Sequence, residues 1–293
     1  MRLPQPCERP APHGPGFAPR WTRGDKDAIG TAYSNRSRVW YTLSEGVLNE
    51  VYYPTIDRPQ IRDLQYLITD GETFFHEERR DLESQVEALS THSLGVRLTN
   101  RAPDGAYRLV KEIIGAPGES AVLVRTRLEG DPELLERLKL FVLCGPRIEI
   151  GGQANSGQVA TIGDQKILVA TEEDTWLALC ASIPFRRASC GYVGANDGWR
   201  DLADNYRMDW EFDCAHEGNI ALMGELDLTE SHEFTLALAF GKSFHDAIST
   251  LSEALSIPFG EQREQFVDEW RRVCHPEETL EKVAGDGGQL YHR

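Results

Sequence analysis

From about Gly30 to Gly241 the chain runs as short β-like segments broken by turn residues, with no intervening stretch long enough for a crossover helix. Parallel strands need a crossover of about a dozen residues or more, usually helical. The pattern therefore argues against Rossmann and α/β-barrel folds and predicts a mainly β protein: a large antiparallel two-sheet β-sandwich. The first hairpin is the clearest. Val39, Tyr41 and Leu43 alternate with Trp40 and Thr42, Ser44-Glu45-Gly46 turns the chain, and Val47–Tyr53 returns until Pro54, which cannot donate to a ladder. Further runs lie at Leu94–Leu98, Tyr107–Ile114, Ala121–Leu128, Leu138–Leu143, Gln158–Ile162, Lys166–Ala170, Trp176–Ile183, Asn219–Leu226 and Phe234–Phe240.

After Gly241 the period changes. Apolar residues at helical spacing in Ser243–Ser256 and Gly260–Cys274 predict two terminal helices. The expected organisation is a flexible proline-rich lead-in or surface-lying arm over 1–25, the sandwich over 26–242, linker helices over 243–286 and a new element beginning at 287–293. No chemistry is expected in the lead-in.

With 31 Lys+Arg against 47 Asp+Glu, the formal charge of −16 opposes attraction to nucleic acid or anionic lipid. No apolar run approaches the ~18 residues of a membrane helix. Residues 1–21 carry charges and prolines where a signal peptide has its apolar segment, so a cytoplasmic protein is expected. Cys7, Cys144, Cys180, Cys190, Cys214 and Cys274 show neither CxxC nor zinc spacing and read as free thiols, with no metal or cofactor implied.

Nucleophile, phosphate and zinc-protease signatures are absent from the sequence. His76-Glu77-Glu78 and His216-Glu217 lack a second histidine one turn away and read as solvated loop residues. The GGQANSG loop at Gly151–Gly157 reads as a flexible hairpin tip. Two stretches stand out. The bend after the first hairpin gathers Tyr52, Tyr53, Asp57, Arg62 and Asp63, a mixture that suits a sugar site or a docking surface. Cys190–Glu217 combines turn glycines with Trp199, Tyr206 and Trp210, flat surfaces on which a pyranose could stack or which could cover a sandwich edge. Asn196-Asp197-Gly198 is an acidic turn without the EF-hand spacing.

The Gly30–Gly71 block, GYVGANDGWRDL at Gly191–Leu202 and GNIALMGELDL at Gly218–Leu228 resemble the N-terminal domain of prokaryotic glucoamylases and glucodextranases of glycoside hydrolase family 15. The likeness runs from about Gly24 to the end of the chain. It implies a "super-sandwich" joined by a helical linker to an (α/α)6 barrel that carries the catalytic glutamates and releases glucose from α-glucans with inversion. On that expectation GGQLYHR at Gly287–Arg293 starts the barrel, no catalytic residue has a counterpart here, and the bend and terminal helices face the barrel. The alternative is a stand-alone carbohydrate-binding module.

Overall fold

A computed structural model describes residues 3–274. The expected start of a barrel at 287–293, and the linker beyond 274, lie outside the described residues. The strands form an eight-stranded and a nine-stranded sheet, and every pairing between named strands is antiparallel. The first sheet runs Ala28–Thr31, Trp40–Ser44, Val47–Tyr52, Ile61–Thr69, Lys139–Pro146, Ile220–Leu226, Phe185–Tyr192, with Phe75–Glu77 beside Ile61–Thr69. The second runs Cys214–Gly218, Asn155–Ile162, Gln165–Glu172, Thr175–Ala181, Glu233–Gly241, Ala121–Gly130, Tyr107–Gly115, Val96–Arg101, Glu83–Ala88.

Alternation explains the layers. Leu64, Tyr66 and Ile68 of one sheet face Leu236, Leu238 and Phe240 of the other in the main core, whereas Leu67 points the opposite way. The interior also holds an ion pair: Lys111 and Glu78 are 3% and 0% exposed. Glu78 further accepts from Asn100 Nδ2 at 2.6 Å and from the Tyr66 amide at 2.9 Å, so its charge is matched by fixed donors. This corrects the reading of His76-Glu77-Glu78 as solvated, because Glu77 and Glu78 are both buried.

The two outer faces are finished differently. Phe244–Ser256 and Phe259–Cys274, the predicted helices, cover the second sheet, burying Ala247, Leu251, Ala254, Phe259 and Phe266 against Leu123, Val169 and Ala178. Their apolar stripe is thus covered by this chain's own sheet and not held out for a partner. Among the described residues the first sheet receives only the two-turn helix Gly198–Asn205, through Leu202 and Trp199, over Leu67, Phe141 and Met223.

The lead-in lies along the surface. Arg9 pairs with Asp213 at 2.8 Å, the Ala11 amide bonds Cys214 O at 2.8 Å, and Cys7 is bridged to Cys214 by a disulfide. That corrects the free-thiol reading for these two cysteines. Their 207-residue separation hides from the sequence that the arm returns to the edge strand Cys214–Gly218 of the second sheet. Cys144, Cys180 and Cys190 are buried free thiols, and Cys274 is exposed.

Candidate functional site

The two unusual stretches meet at one cavity of about 260 Å³ on the outer face of the first sheet. A backbone irregularity creates it. Pairing between Ile61–Thr69 and Lys139–Pro146 steps from Asp63 opposite Gly145 to Ile61 opposite Pro146, leaving Arg62 as the extra residue. Such a bulge re-aims side chains, and here the consecutive Arg62 and Asp63 both line the cavity. Gly145 and Ala221 line it as well, and their small size leaves the space open.

Every acid at the site already has a local partner. Asp63, 1% exposed, accepts from Arg62 Nε at 3.1 Å and from Arg79 Nη1 at 3.0 Å. Burial works against the Arg62 charge, but Asp63, with Glu77 and Asp197 beyond it, outweighs burial and raises its pKa. Glu77 accepts from Trp199 Nε1 at 2.8 Å and Gln65 Nε2 at 3.0 Å and pairs with Arg80 at 3.2 Å. Asp197 caps the Gly198–Asn205 helix, accepting from the Arg200 amide at 3.0 Å. Carboxylates held in this way suit binding better than proton transfer, which needs a carboxyl free to face its substrate.

Arg147 is the exception among the charges. It is 1% exposed, and its Nη1 donates to Pro146 O at 2.9 Å and Asn219 Oδ1 at 2.7 Å. No carboxylate among the described residues makes an ion pair with it. Burial first, then the like charge of Arg62, lower its pKa to about 10, so it remains cationic at neutral pH. The polar loop at Gly151–Gly157 has a role here. Gly152 has φ +69°, and a Cβ on it would lie 2.3 Å from Arg147 Cδ, so only glycine leaves room for this side chain.

Two aromatics border the cavity. Trp199 has the Arg80 guanidinium 5.3 Å from its ring centroid and Phe75 edge-on at 6.0 Å. Phe17, from the arm, is 64% exposed. Its backbone is fixed on both sides, with its amide donating to Val193 O at 2.9 Å and its carbonyl accepting from Asn219 Nδ2 at 2.8 Å. A Cβ on Gly194 would come 2.2 Å from Phe17 Cδ2, so the ring lies directly on that glycine.

Of the sequence candidates, Arg62, Asp63 and Trp199 are brought together, and the others are not. Tyr53 stacks on Phe240 at 5.3 Å and is 7% exposed. Tyr52 is half-buried and donates to Glu50 at 2.6 Å. Asp57 is exposed on the bend, its pKa lowered by the Thr55 hydroxyl. Tyr206 ends the Gly198–Asn205 helix in the left-handed region, φ 68°, and the Trp210 amide donates to Asp201 Oδ2 at 2.7 Å. Phe17, Glu77, Arg80, Arg147 and Asp197 were not singled out as a group by sequence, because only the sheet register and the folded-back arm gather them.

Cys7, Cys214 and His216 hold ligand-type atoms within 4.8 Å of one another. The two sulfurs are bonded to each other, however, and it is the thiolate that binds metal.

Among the matches to known proteins, three bear on this chain. The family described as glucodextranase, domain N, matches residues 11–275. A glucoamylase from Clostridium sp. (strain G0005) is 32% identical over 282 residues, covering 96% of this chain and 40% of that protein. The crystal structure of a bacterial glucoamylase complexed with acarbose aligns with TM-score 0.88 and 32% identity, over 93% of this chain and 41% of that one. The chain thus spans about two-fifths of the length of the relatives it matches.

Proposed function

Since the chain belongs to the glucodextranase domain N family, we propose that it is the non-catalytic accessory domain of an inverting, exo-acting α-glucan hydrolase of the glucoamylase type, docked on an (α/α)6 catalytic barrel of the same polypeptide. The observation that carries this reading is the lopsided coverage: 96% of this chain aligns with only 40% of a glucoamylase. The engaged carboxylates of the cavity support it, since glycoside hydrolysis needs two acids flanking a bond with one free to protonate the leaving oxygen.

The bend supplies the apolar contact. Ile56 and Ile150 are 67% and 45% exposed on loops joined by the Arg58–Glu149 ion pair and by the Glu149 amide donating to Gln60 Oε1 at 3.0 Å. The Cys7–Cys214 bridge favours a parent working in an oxidising compartment over the cytoplasmic one expected from residues 1–21.

Maltose and soluble starch assays on the purified chain should give no glucose release. In the parent polypeptide, Ile56→Ser with Ile150→Ser should lower the Tm of the barrel while leaving the isolated chain's Tm unchanged. Glucose release by the chain alone, or a barrel indifferent to both substitutions, would overturn the reading.

A further inference from the structure

We propose that the cavity between Phe17 and Trp199 binds a single neutral pyranose unit of a carbohydrate. The site does not depend on docking to a barrel, and either reading can fail without the other. Size sets the first limit. At about 260 Å³ the space falls below the ~300–1,000 Å³ of sites for drug-sized ligands, so it takes one ring and not an extended chain.

The aromatic edge sets the second. Phe17 stands 64% exposed at the cavity on a backbone tied to Val193 and Asn219, where a flexible arm would ordinarily leave such a ring collapsed or mobile. A fixed, exposed aromatic face beside buried hydrogen-bonding groups is what the apolar face of a sugar ring requires.

Charge sets the third. Arg62, Arg80 and Arg147 stand against Asp63, Glu77 and Asp197, so the lining is balanced and selects for hydroxyls over a net charge. The formal charge of −16 further disfavours free anions. Within this balanced set Arg147 is a buried planar donor whose hydrogen bonds to protein, among the described residues, run through Nη1 alone. Its Nε is buried without a partner, so Nη2 is the donor left to serve a ring hydroxyl.

The test is a titration of the full chain, followed by amide NMR, with glucose and maltose, and with glucuronate and inorganic phosphate as anionic probes. Saturable shifts are expected with the sugars at residues around Phe17 and Trp199. Phe17→Ala should weaken binding about tenfold with Tm unchanged. Ala221→Met, which fills the cavity, should abolish binding. If Ala221→Met fails to fold, Phe17→Ala, at an exposed position, still decides. No saturation with either sugar, saturation with glucuronate or phosphate alone, or sugar binding unaffected by Phe17→Ala would each overturn the proposal.

Discussion

The two outer faces of this sandwich solve one problem in opposite ways. On the second sheet Ile114, Leu123, Val169 and Ala178 point outward, and two helices of 13 and 16 residues seal them. On the first sheet the outward residues change along the strands from Leu67 and Phe141 to Asp63, Gln65 and Gly145, and a helix of 8 residues packs Leu202 on the apolar end and brings Trp199 only to the border of the polar one. An apolar face is covered because leaving it in water costs about 25 cal/mol per Å². A polar lining whose groups are paired carries no such penalty and can border an open cavity. The closed face therefore maintains the fold, and the open face is where a ligand has room.

The largest effect is expected on the closed face. Phe266 is fully buried and packs against Gly95, where a Cβ would come 3.1 Å from its Cε1. Phe266→Ala should cost about 3–5 kcal/mol, read as a loss of Tm. A loss below about 1 kcal/mol would mean that the C-terminal helix contributes little and that the contrast between the faces is only apparent.

The disulfide comes next and belongs to the open side, because it anchors the arm that carries Phe17. Replacing both partners, Cys7→Ser with Cys214→Ser, should cost about 2–4 kcal/mol. It should also raise hydrogen exchange at residues 3–20 while leaving the terminal helices protected. Uniform loosening of both faces would show that the arm is part of one cooperative unit.

This pair of predictions also marks what the sequence made legible. The closed face was readable: Phe244, Ala247, Ile248, Leu251 and Phe266, Trp270 follow helical spacing, and alternation located Tyr107–Gly115 and Ala121–Gly130 within a residue or two. Strands without an apolar period were missed. Glu83–Ala88 is an exposed edge, and Phe185–Tyr192 interrupts its alternation with Arg186 and Arg187. Gly198–Asn205 read as irregular loop because its glycine masked the Asp197 cap. The open site was legible only in pieces. Arg62, Asp63 and Trp199 stood out by composition, whereas Phe17 and Arg147 depend on contacts across 202 and 72 residues with Asn219.

A smaller effect separates helix from sheet on the open face. Asp197→Ala removes the carboxylate that accepts from the Arg200 amide at 3.0 Å and should cost about 1 kcal/mol. The loss should be local, with faster exchange over Gly198–Asn205 and a shifted Trp199 indole signal. Exchange unchanged across that helix would mean that Leu202 and Trp199 packing alone holds it.

The smallest effect is a pH dependence confined to the closed face. Glu119 lies in the turn before Ala121–Gly130 and meets Glu253 of the Phe244–Ser256 helix. Burial first, then the Glu253 charge and hydrogen bond, raise its pKa above the ordinary 4.5, against the opposing pull of Arg36. A carboxyl with a raised folded pKa binds more protons folded than unfolded, so its contribution to stability is fully present below the unfolded value and is lost as pH rises through the folded one. Glu253→Gln removes the charge repulsion while keeping the side chain's size. The Tm of Glu253→Gln should therefore match the parent at pH 4 and exceed it increasingly toward pH 8. A gap constant across that range would assign the difference to packing. A gap that widens with pH would show that even the sealed face retains one charged contact sensitive to solvent, where its helix meets the sheet's exposed turn.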